Sequence, residues 1–438
     1  MARAKKETAL TPEERLQAAL VPDWEWPHKL PENWCWTYFK SISTIQTGKK
    51  DANYGSDEGK YPFFTCAAEP IRCHGYSFDC RAILLAGNGD INNISRYNGK
   101  FEAYQRTYVV KIAEPLCFDY IFYWFKYRWF DFNKGKMFGT AIPYIRLGNL
   151  QEFPTPIPPL AEQQRIVDRI ESLFTKLDEA KEKAQAVVDS FEARKAAILH
   201  KAFTGELTAK WREEHGVRME SWEKKRLSDV VTEFKYGTSE KSDYNNKGIP
   251  VLRIPNIGDN GIDLSDIKYL NHRNVDSESQ IHEEDILIIR SNGSRDLVGK
   301  AVLVPELGCE YAYASFLIRA KPNHSIINAH YLTIFLNSTD ARGQMFRRAK
   351  SSAGINNINT KELGAISLTI PSLPEQDEIV HIINEMMDKD QQSKEAAEAV
   401  LDQIELMKKS ILARAFRGEL GTNDPNEESA VELLKRVL

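Results

Sequence analysis

The feature that most constrains this chain is a stretch of about fifty residues that occurs twice. Ile157-Pro158-Pro159-Leu160-Ala161-Glu162-Gln163 opens the first copy, which closes at Ala202-Phe203-Thr204-Gly205-Glu206-Leu207. Ile370-Pro371-Ser372-Leu373-Pro374-Glu375-Gln376 opens the second, which closes at Ala415-Phe416-Arg417-Gly418-Glu419-Leu420. A constant offset of 213 residues relates them, and 24 of 51 aligned positions are identical without a gap. A period this long is a duplicated module of domain size and not a solenoid repeat. A chain built this way folds as a pseudo-two-fold molecule with two similar, separately variable surfaces.

Within each copy the apolar residues alternate at steps of three and four. In the first they are Ile166, Ile170, Leu173, Leu177, Ala180, Ala184, Val187, Phe191 and Ile198, interrupted only at Arg194. In the second they run Ile379, Ile383, Met386, Ala397, Val400, Ile404, Met407 and Ile411, with Asp390 and Ser393 as imperfect members. A sustained 3.5-residue period is the seam of a coiled coil. About 40 helical residues span roughly 60 Å, too far for one compact neighbour to cover. The economical partner is the other copy, packed antiparallel. Pro158-Pro159 and Pro371 fix the entry to each helix, and Gly205 and Gly418 stand where each ends.

The intervening stretches read as mixed α/β units. Residues 81–85, 107–112, 249–254, 285–289 and 316–320 are strand-like, Phe118–Phe132 and Ala329–Leu336 are helical, and Gly87-Asn88-Gly89-Asp90, Asn98-Gly99-Lys100, Asn292-Gly293 and Val298-Gly299-Lys300 mark turns. Gly99-Lys100 and Gly299-Lys300 stand as corresponding landmarks, each ahead of a strand. Thr11-Pro12-Glu13-Glu14 caps a short helix. The expected organisation is an N-terminal segment 1–33, a first α/β domain 34–157, a spacer helix 158–207, a linker 208–221, a second α/β domain 222–370, a second spacer helix 371–420 and a tail 421–438.

At 438 residues, 42% hydrophobic and 27% charged, with a formal charge of −4, the chain has an ordinary globular composition and no global basic signal for nucleic acid. No apolar run is long enough to span a bilayer and the first residues carry no apolar signal core, so a cytoplasmic protein without membrane contact is expected. The intervals between Cys66, Cys73 and Cys80, with His74 beside them, do not match the tight ligand pairs of zinc sites, so reduced thiols and no metal are expected. No phosphate loop, nucleophile elbow or H-E-x-x-H is present, nor an Asp/Asn-Pro-Pro-Tyr/Phe tetrad.

Taken together, the doubled Ile-Pro-x-Leu, Glu-Gln, long helix and Ala-Phe-x-Gly-Glu-Leu pattern closely resembles the specificity subunits of type I restriction-modification systems, over residues 30–420. That resemblance implies an α/β (α+β) fold, in which two target recognition domains alternate with two long helices paired as an antiparallel coiled coil. It implies a non-catalytic subunit that binds a bipartite, asymmetric double-stranded DNA site, one half per domain. It further implies two modification (methyltransferase) subunits and restriction (endonuclease/translocase) subunits as partners, with no cofactor in this chain and S-adenosylmethionine, Mg and ATP in the partners. The rival readings are a stand-alone DNA-binding or anti-restriction regulator and an enzyme in its own right.

For DNA contact, Arg290-Ser291-Asn292-Gly293-Ser294-Arg295 follows an apolar strand, and arginine pairs bidentately with guanine and asparagine with adenine. Arg253, Asn256, Lys300, Ser351, Ser352 and Asn356 join them as candidates in the second domain. In the first domain the loop from Gly87 to Arg96 supplies Asn88, Asn92, Asn93 and Arg96. Tyr104, Gln105 and Arg106 precede a strand and reach a groove, while Lys49, Lys50 and Lys100 suit phosphates.

Overall fold

The computed structural model describes residues 10–245, 248–259, 261–271, 280–352 and 354–438, with the backbone alone at 351 and 352. The first residues, read above for a signal sequence, lie outside them up to residue 9. The chain forms two compact units, one from residues 1–184 and 399–438, the other from 185–398. Among the described residues no helix is long and apolar enough to cross a membrane.

In the first unit a six-stranded sheet has the order Ser43–Thr47, Thr107–Ile112, Phe78–Ala86, Ile94–Ala103, Tyr61–Phe64 and Ile71–Cys73. The Phe78–Ala86 and Ile94–Ala103 strands form a long coiled hairpin. Phe78 faces Phe101 at one end and Ala86 faces Thr107 at the other, and so short a connection from 101 to 107 reaches both only if the hairpin curls. Gly99, with φ 129°, sits opposite Cys80 in that bend. The turn expected at Asn98-Gly99-Lys100 is therefore mid-strand, and this Gly-Lys pair is not the counterpart of Gly299-Lys300, which does turn into the Ala301–Leu303 strand. The Phe118–Asn133 helix buries Tyr120, Trp124, Phe125 and Trp129 as core.

The second unit has the same strand order, Val231–Tyr236, Leu317–Pro322, Ile286–Ile289 and Ala301–Leu303. A second sheet adds Pro250–Leu252 parallel to Ala312–Tyr313, as Tyr61–Phe64 runs parallel to Ile94–Ala103 in the first unit. Each α/β domain is closed by an antiparallel ribbon between its ends, Cys35–Tyr38 with Pro154–Ile157 and Glu223–Arg226 with Ser367–Ile370. The closing strand then leads directly into the long helix.

The repeated Glu-Gln at each helix start is wholly buried: Glu162, Gln163, Glu375 and Gln376 are all 0% exposed. Gln163 accepts from the Cys117 amide at 2.8 Å, ahead of the Phe118–Asn133 helix, and donates to the Pro158 carbonyl at 3.0 Å. Gln376 does the same with the Asn328 amide and the Pro371 carbonyl, at 2.8 and 2.9 Å. Glu162 accepts from the Trp34 indole, Asn423 and Thr422 at 2.8, 2.9 and 3.2 Å. Burial pushes its pKa up, while those donors oppose the shift. Glu375 accepts from the Trp222 indole at 3.0 Å, from Thr208 at 2.7 Å and from Arg212 at 2.6 Å.

Two segments that read as linker and tail are thus folded clasps. Residues 208–221 include the Ala209–His215 helix and the buried Arg212. Residues 421–438 supply Thr422 and Asn423 and bury Leu433 and Leu434 of the Ala430–Val437 helix. The Ala-Phe-x-Gly-Glu-Leu closure has a matching role in each unit. Phe416 packs against Tyr120, Trp124 and Tyr127, and Phe203 against Tyr331 and Phe335. Gly205 and Gly418 end their helices at φ 79° and 73°, a backbone that favours glycine.

The second spacer is one helix, Leu373–Ala415. The first is two, Leu160–Asp189 and Phe191–Phe203, which corrects the expected continuous helix. The join is Ser190, whose hydroxyl donates back to the Ala186 carbonyl at 2.6 Å, a bond that bends helices. Antiparallel packing is read from ion pairs whose numbers rise on one helix as they fall on the other: Asp178 with Lys408 at 2.5 Å and Lys181 with Glu405 at 2.7 Å in the first unit, Arg194 with Asp390 at 2.5 Å in the second. The last pair joins the polar interruption of one seam to an imperfect position of the other.

Candidate nucleic-acid interface

Beyond strand order, the two α/β domains share a hydrogen-bond framework that their sequences conceal. In the first, the Tyr104 amide donates to the Phe64 carbonyl, Gln105 to Lys50, Thr107 to Tyr104, Gly87 to Arg106 and Ile145 to Gly87, at 2.8–2.9 Å. In the second, Ala314 donates to Leu252, Ser315 to Thr238, Leu317 to Ala314, Arg290 to Phe316 and Ile358 to Arg290, at 2.8–3.0 Å. Bond for bond, Lys50 corresponds to Thr238, Gln105 to Ser315, Arg106 to Phe316 and Gly87 to Arg290. Gly48 and Gly237 begin the same junction, where an added Cβ would fall 1.9 Å from the Ala103 carbonyl oxygen and 2.1 Å from that of Tyr313.

This framework gathers loops at one end of each curled sheet. In the first domain it brings Lys49, Lys50, Asn88, Asn92, Asn93, Tyr104, Gln105 and Arg106 together. Lys49, Asn92, Gln105 and Arg106 are exposed. Lys50 lies 4.5 Å from the Tyr54 ring centre, and the Gln105 amide donates to Asp51 at 2.8 Å. Asn88 is half-buried, with its side-chain oxygen buried and unpartnered among the described residues. Asn93 ties the loop down by donating to the Cys66 carbonyl at 2.9 Å.

Two first-domain candidates lie elsewhere. Arg96, read as a loop residue, is on the Ile94–Ala103 strand and pairs with Asp119 at 2.5 Å. Lys100 is on the same strand, 4.8 Å from the Tyr76 ring centre; its hydrogen bond with that phenol raises its pKa.

In the second domain the loop that begins at Arg290 and the strands Lys350–Ser352 and Ile355–Asn357 form one three-stranded sheet. Ser291 pairs with Asn357 and Asn292 with Asn356, while Ser351 faces Asn356 and Ser352 faces Ile355. Asn292 accepts from the Ser294 amide at 2.7 Å and Asn356 donates to the Gly293 carbonyl at 3.1 Å, which shapes the loop. Arg290 lies 4.3 Å from the Tyr236 ring centre and donates to Asn357 at 3.3 Å. Exposed Arg295 donates to the Phe346 carbonyl at 2.9 Å. Ser291 is buried.

Three second-domain candidates are occupied in holding loops. Asn256 is 1% exposed; it accepts from the Arg253 amide at 2.8 Å and donates to the carbonyls of Asp263 and Asp266 at 2.8 and 3.0 Å. Arg253 pairs with Asp266 at 2.9 Å, and Lys300 with Asp259 at 2.7 Å. The Lys300 hydrogen bond lowers the pKa of Asp259.

Not foreseen from the sequence are the exposed aromatic Phe316, the half-exposed Tyr236 beside Arg290, and the whole 138–144 hairpin. Phe138 and Tyr144 bridge there, Asn88 bridges Tyr144, and the Gly89 amide donates to the Pro143 carbonyl at 2.8 Å. It is the counterpart of the 350–357 hairpin. A signal was available: the 213-residue offset extends back from Ile157 through Leu150/Leu363 and Ile145/Ile358 to Ile142/Ile355.

A duplicated framework that presents different side chains at equivalent loop positions suits recognition of two different surfaces. Residues 31–188 and 219–401 match the model of the type I restriction modification DNA specificity domain. The chain belongs to this family. It is a type I specificity subunit, a non-catalytic, DNA-recognising component of restriction-modification systems. It is 28% identical over 435 residues to the EcoDI type I restriction enzyme specificity subunit of Escherichia coli, covering 93% of this chain and 95% of that one. Its fold resembles the HsdS subunit of Thermoanaerobacter tengcongensis, with TM-score 0.60 and 19% identity over 90% of this chain and 100% of that one. A chain from a structure described as the basis of complex assembly and conformational transition of the type I R-M system matches with TM-score 0.65 and 20% identity, over 90% of this chain and 100% of that one.

Proposed function

We propose that this specificity subunit reads a split, asymmetric double-stranded DNA site, with residues 34–157 on one half and 222–370 on the other. The observation that carries this is the shared hydrogen-bond framework with unlike side chains, Lys50, Gln105 and Arg106 against Thr238, Ser315 and Phe316. Equivalent positions with different chemistry give two half-sites of different sequence. In the first domain Asn88, Asn92, Tyr104, Gln105 and Arg106 meet bases and Lys49 and Lys50 meet phosphates. In the second Arg290, Asn292, Ser294, Arg295 and Asn356 meet bases, with Ser351 and Ser352 on the same hairpin and Tyr236 and Phe316 beside them. Arg96, Lys100, Arg253, Asn256, Ser291 and Lys300 serve the fold around them.

The paired helices set the half-site separation and hold two modification subunits, to which restriction subunits add. S-adenosylmethionine, Mg and ATP then belong to those partners, and the complex works in the cytoplasm. The test is methylation of host DNA by the chain alone and with its modification subunit. Adenine methylation is expected only from the combination with S-adenosylmethionine; methyl transfer by the rigorously partner-free chain overturns the reading.

A further inference from the structure

Ile142 and Ile355 stand at the same position of the duplication, and both are exposed, by 60% and 52%. The next isoleucine of the same repeat, Ile145 or Ile358, is buried at 4% and 0%. One member of each pair therefore builds core, and the other stands in solvent at a hairpin tip. A single exposed isoleucine needs no explanation. Two at equivalent places, in domains whose neighbouring exposed residues have all changed, point to a shared task. Both tips are bonded to the recognition loops, through the Gly89 amide on the Pro143 carbonyl at 2.8 Å and Asn356 on the Gly293 carbonyl at 3.1 Å.

We infer that Ile142 and Ile355 are one duplicated apolar DNA contact, each pressed against the C5-methyl group of a thymine in its own half-site. This rests on the DNA-reading role proposed above. The polar loops around the tips supply hydrogen bonds that differ between the halves, whereas an isoleucine offers only surface, and the thymine methyl is the apolar feature of the major groove. The two domains then share one apolar reading position amid otherwise unlike ones.

The test uses the complex with modification subunits and duplexes carrying the mapped methylation site, each thymine replaced singly by deoxyuridine. I355A is expected to weaken cognate binding about 5- to 30-fold, to spare scrambled duplex, and to leave the melting temperature unchanged. Loss of one methyl in the second half-site should weaken the wild-type complex about 2- to 5-fold and leave I355A unaffected; I142A should behave likewise in the first half. Wild-type binding indifferent to every deoxyuridine overturns the inference, as does I355A retaining full cognate affinity. Loss of co-purifying modification subunit from I355A also overturns it, by making the tip a protein contact. R290A separates the two levels: if R290A lowers cognate affinity and I355A does not, only this inference fails, and if neither does, the DNA-reading role fails with it.

Discussion

Arg194 and Asp390 interrupt otherwise apolar seams, and their ion pair makes a quantitative prediction. With charge centres about 4 Å apart and an effective dielectric near 20, their gross attraction is about 4 kcal/mol, offset by taking both groups out of water. The side chains are unequally buried, Asp390 12% exposed and Arg194 34%. Replacing Arg194 with methionine strands a buried carboxylate whose second oxygen already lacks a partner among the described residues. That should cost about 3 kcal/mol, the lower end for a broken buried pair. Replacing Asp390 with leucine leaves an arginine whose Nη2 is likewise buried without a partner among the described residues, but which is more exposed and keeps its bond to the Val187 carbonyl at 3.1 Å, so about 1–2 kcal/mol is expected. The double variant restores the apolar seam and should lie within about 1 kcal/mol of the parent, or above it. Urea unfolding of all four full-length proteins, followed by helical circular dichroism, yields the coupling energy, expected to be about 3–5 kcal/mol. Additive losses, or single variants indistinguishable from the parent, would refute the pairing of these two seam positions.

The duplicated glutamates should respond differently to the same change. Glu162→Gln keeps an oxygen for Trp34 and Asn423 while the Thr422 hydroxyl turns to accept, so it should be tolerated within about 1 kcal/mol; Glu375→Gln leaves Arg212 buried and uncompensated and should cost about 3–5 kcal/mol, both read by thermal unfolding. Because burial raises the Glu162 pKa above its unfolded value, the stability it contributes is full below the ordinary carboxylate pKa and is lost as pH rises through the raised value. Glu162→Gln should remove that part of the pH dependence in melts across the weakly acidic range. Phe416→Ala should cost about 3–5 kcal/mol, and Phe203→Ala less, since Phe203 is only half-buried, which paired melts would check.

The spacer helices were legible because their 3.5-residue period survives in both copies, and the second ran as a single helix as expected. Ser190 was not legible as a join, because a helical period continues through it. The seam interruptions at Arg194 and Asp390 were visible as flaws; that they answer each other depends on the antiparallel register, which no single helix encodes. Likewise the repeated Glu-Gln was plain in the sequence, but its reason lies with Trp34 and Trp222, brought from far along the chain by the closing ribbons, and with Arg212 and Asn423, supplied by the folded segments 208–221 and 421–438. At the candidate DNA-contact loops, apolar runs marked the strands while the shared backbone bonds left no sequence trace. Gly99-Lys100 and Gly299-Lys300 matched as letters and differ in role, whereas Gly87 and Arg290 differ as letters and occupy one position. Burial removed Asn256 from the exposed loop residues, and an ion pair with Asp119 ties Arg96 to the Phe118–Asn133 helix.

Each α/β domain should read its own half of a split site, independently of the other. Mapping methylated adenines across the genome of a host carrying this chain with its partners tests it most directly, if done for the parent and for the R290A R295A variant. The expected parent motif has two defined halves around an unspecified spacer, and the variant should relax or lose one half while the other half and the spacer length stay fixed. A continuous motif, or a variant that degrades both halves alike, would mean that the two domains do not read separate half-sites.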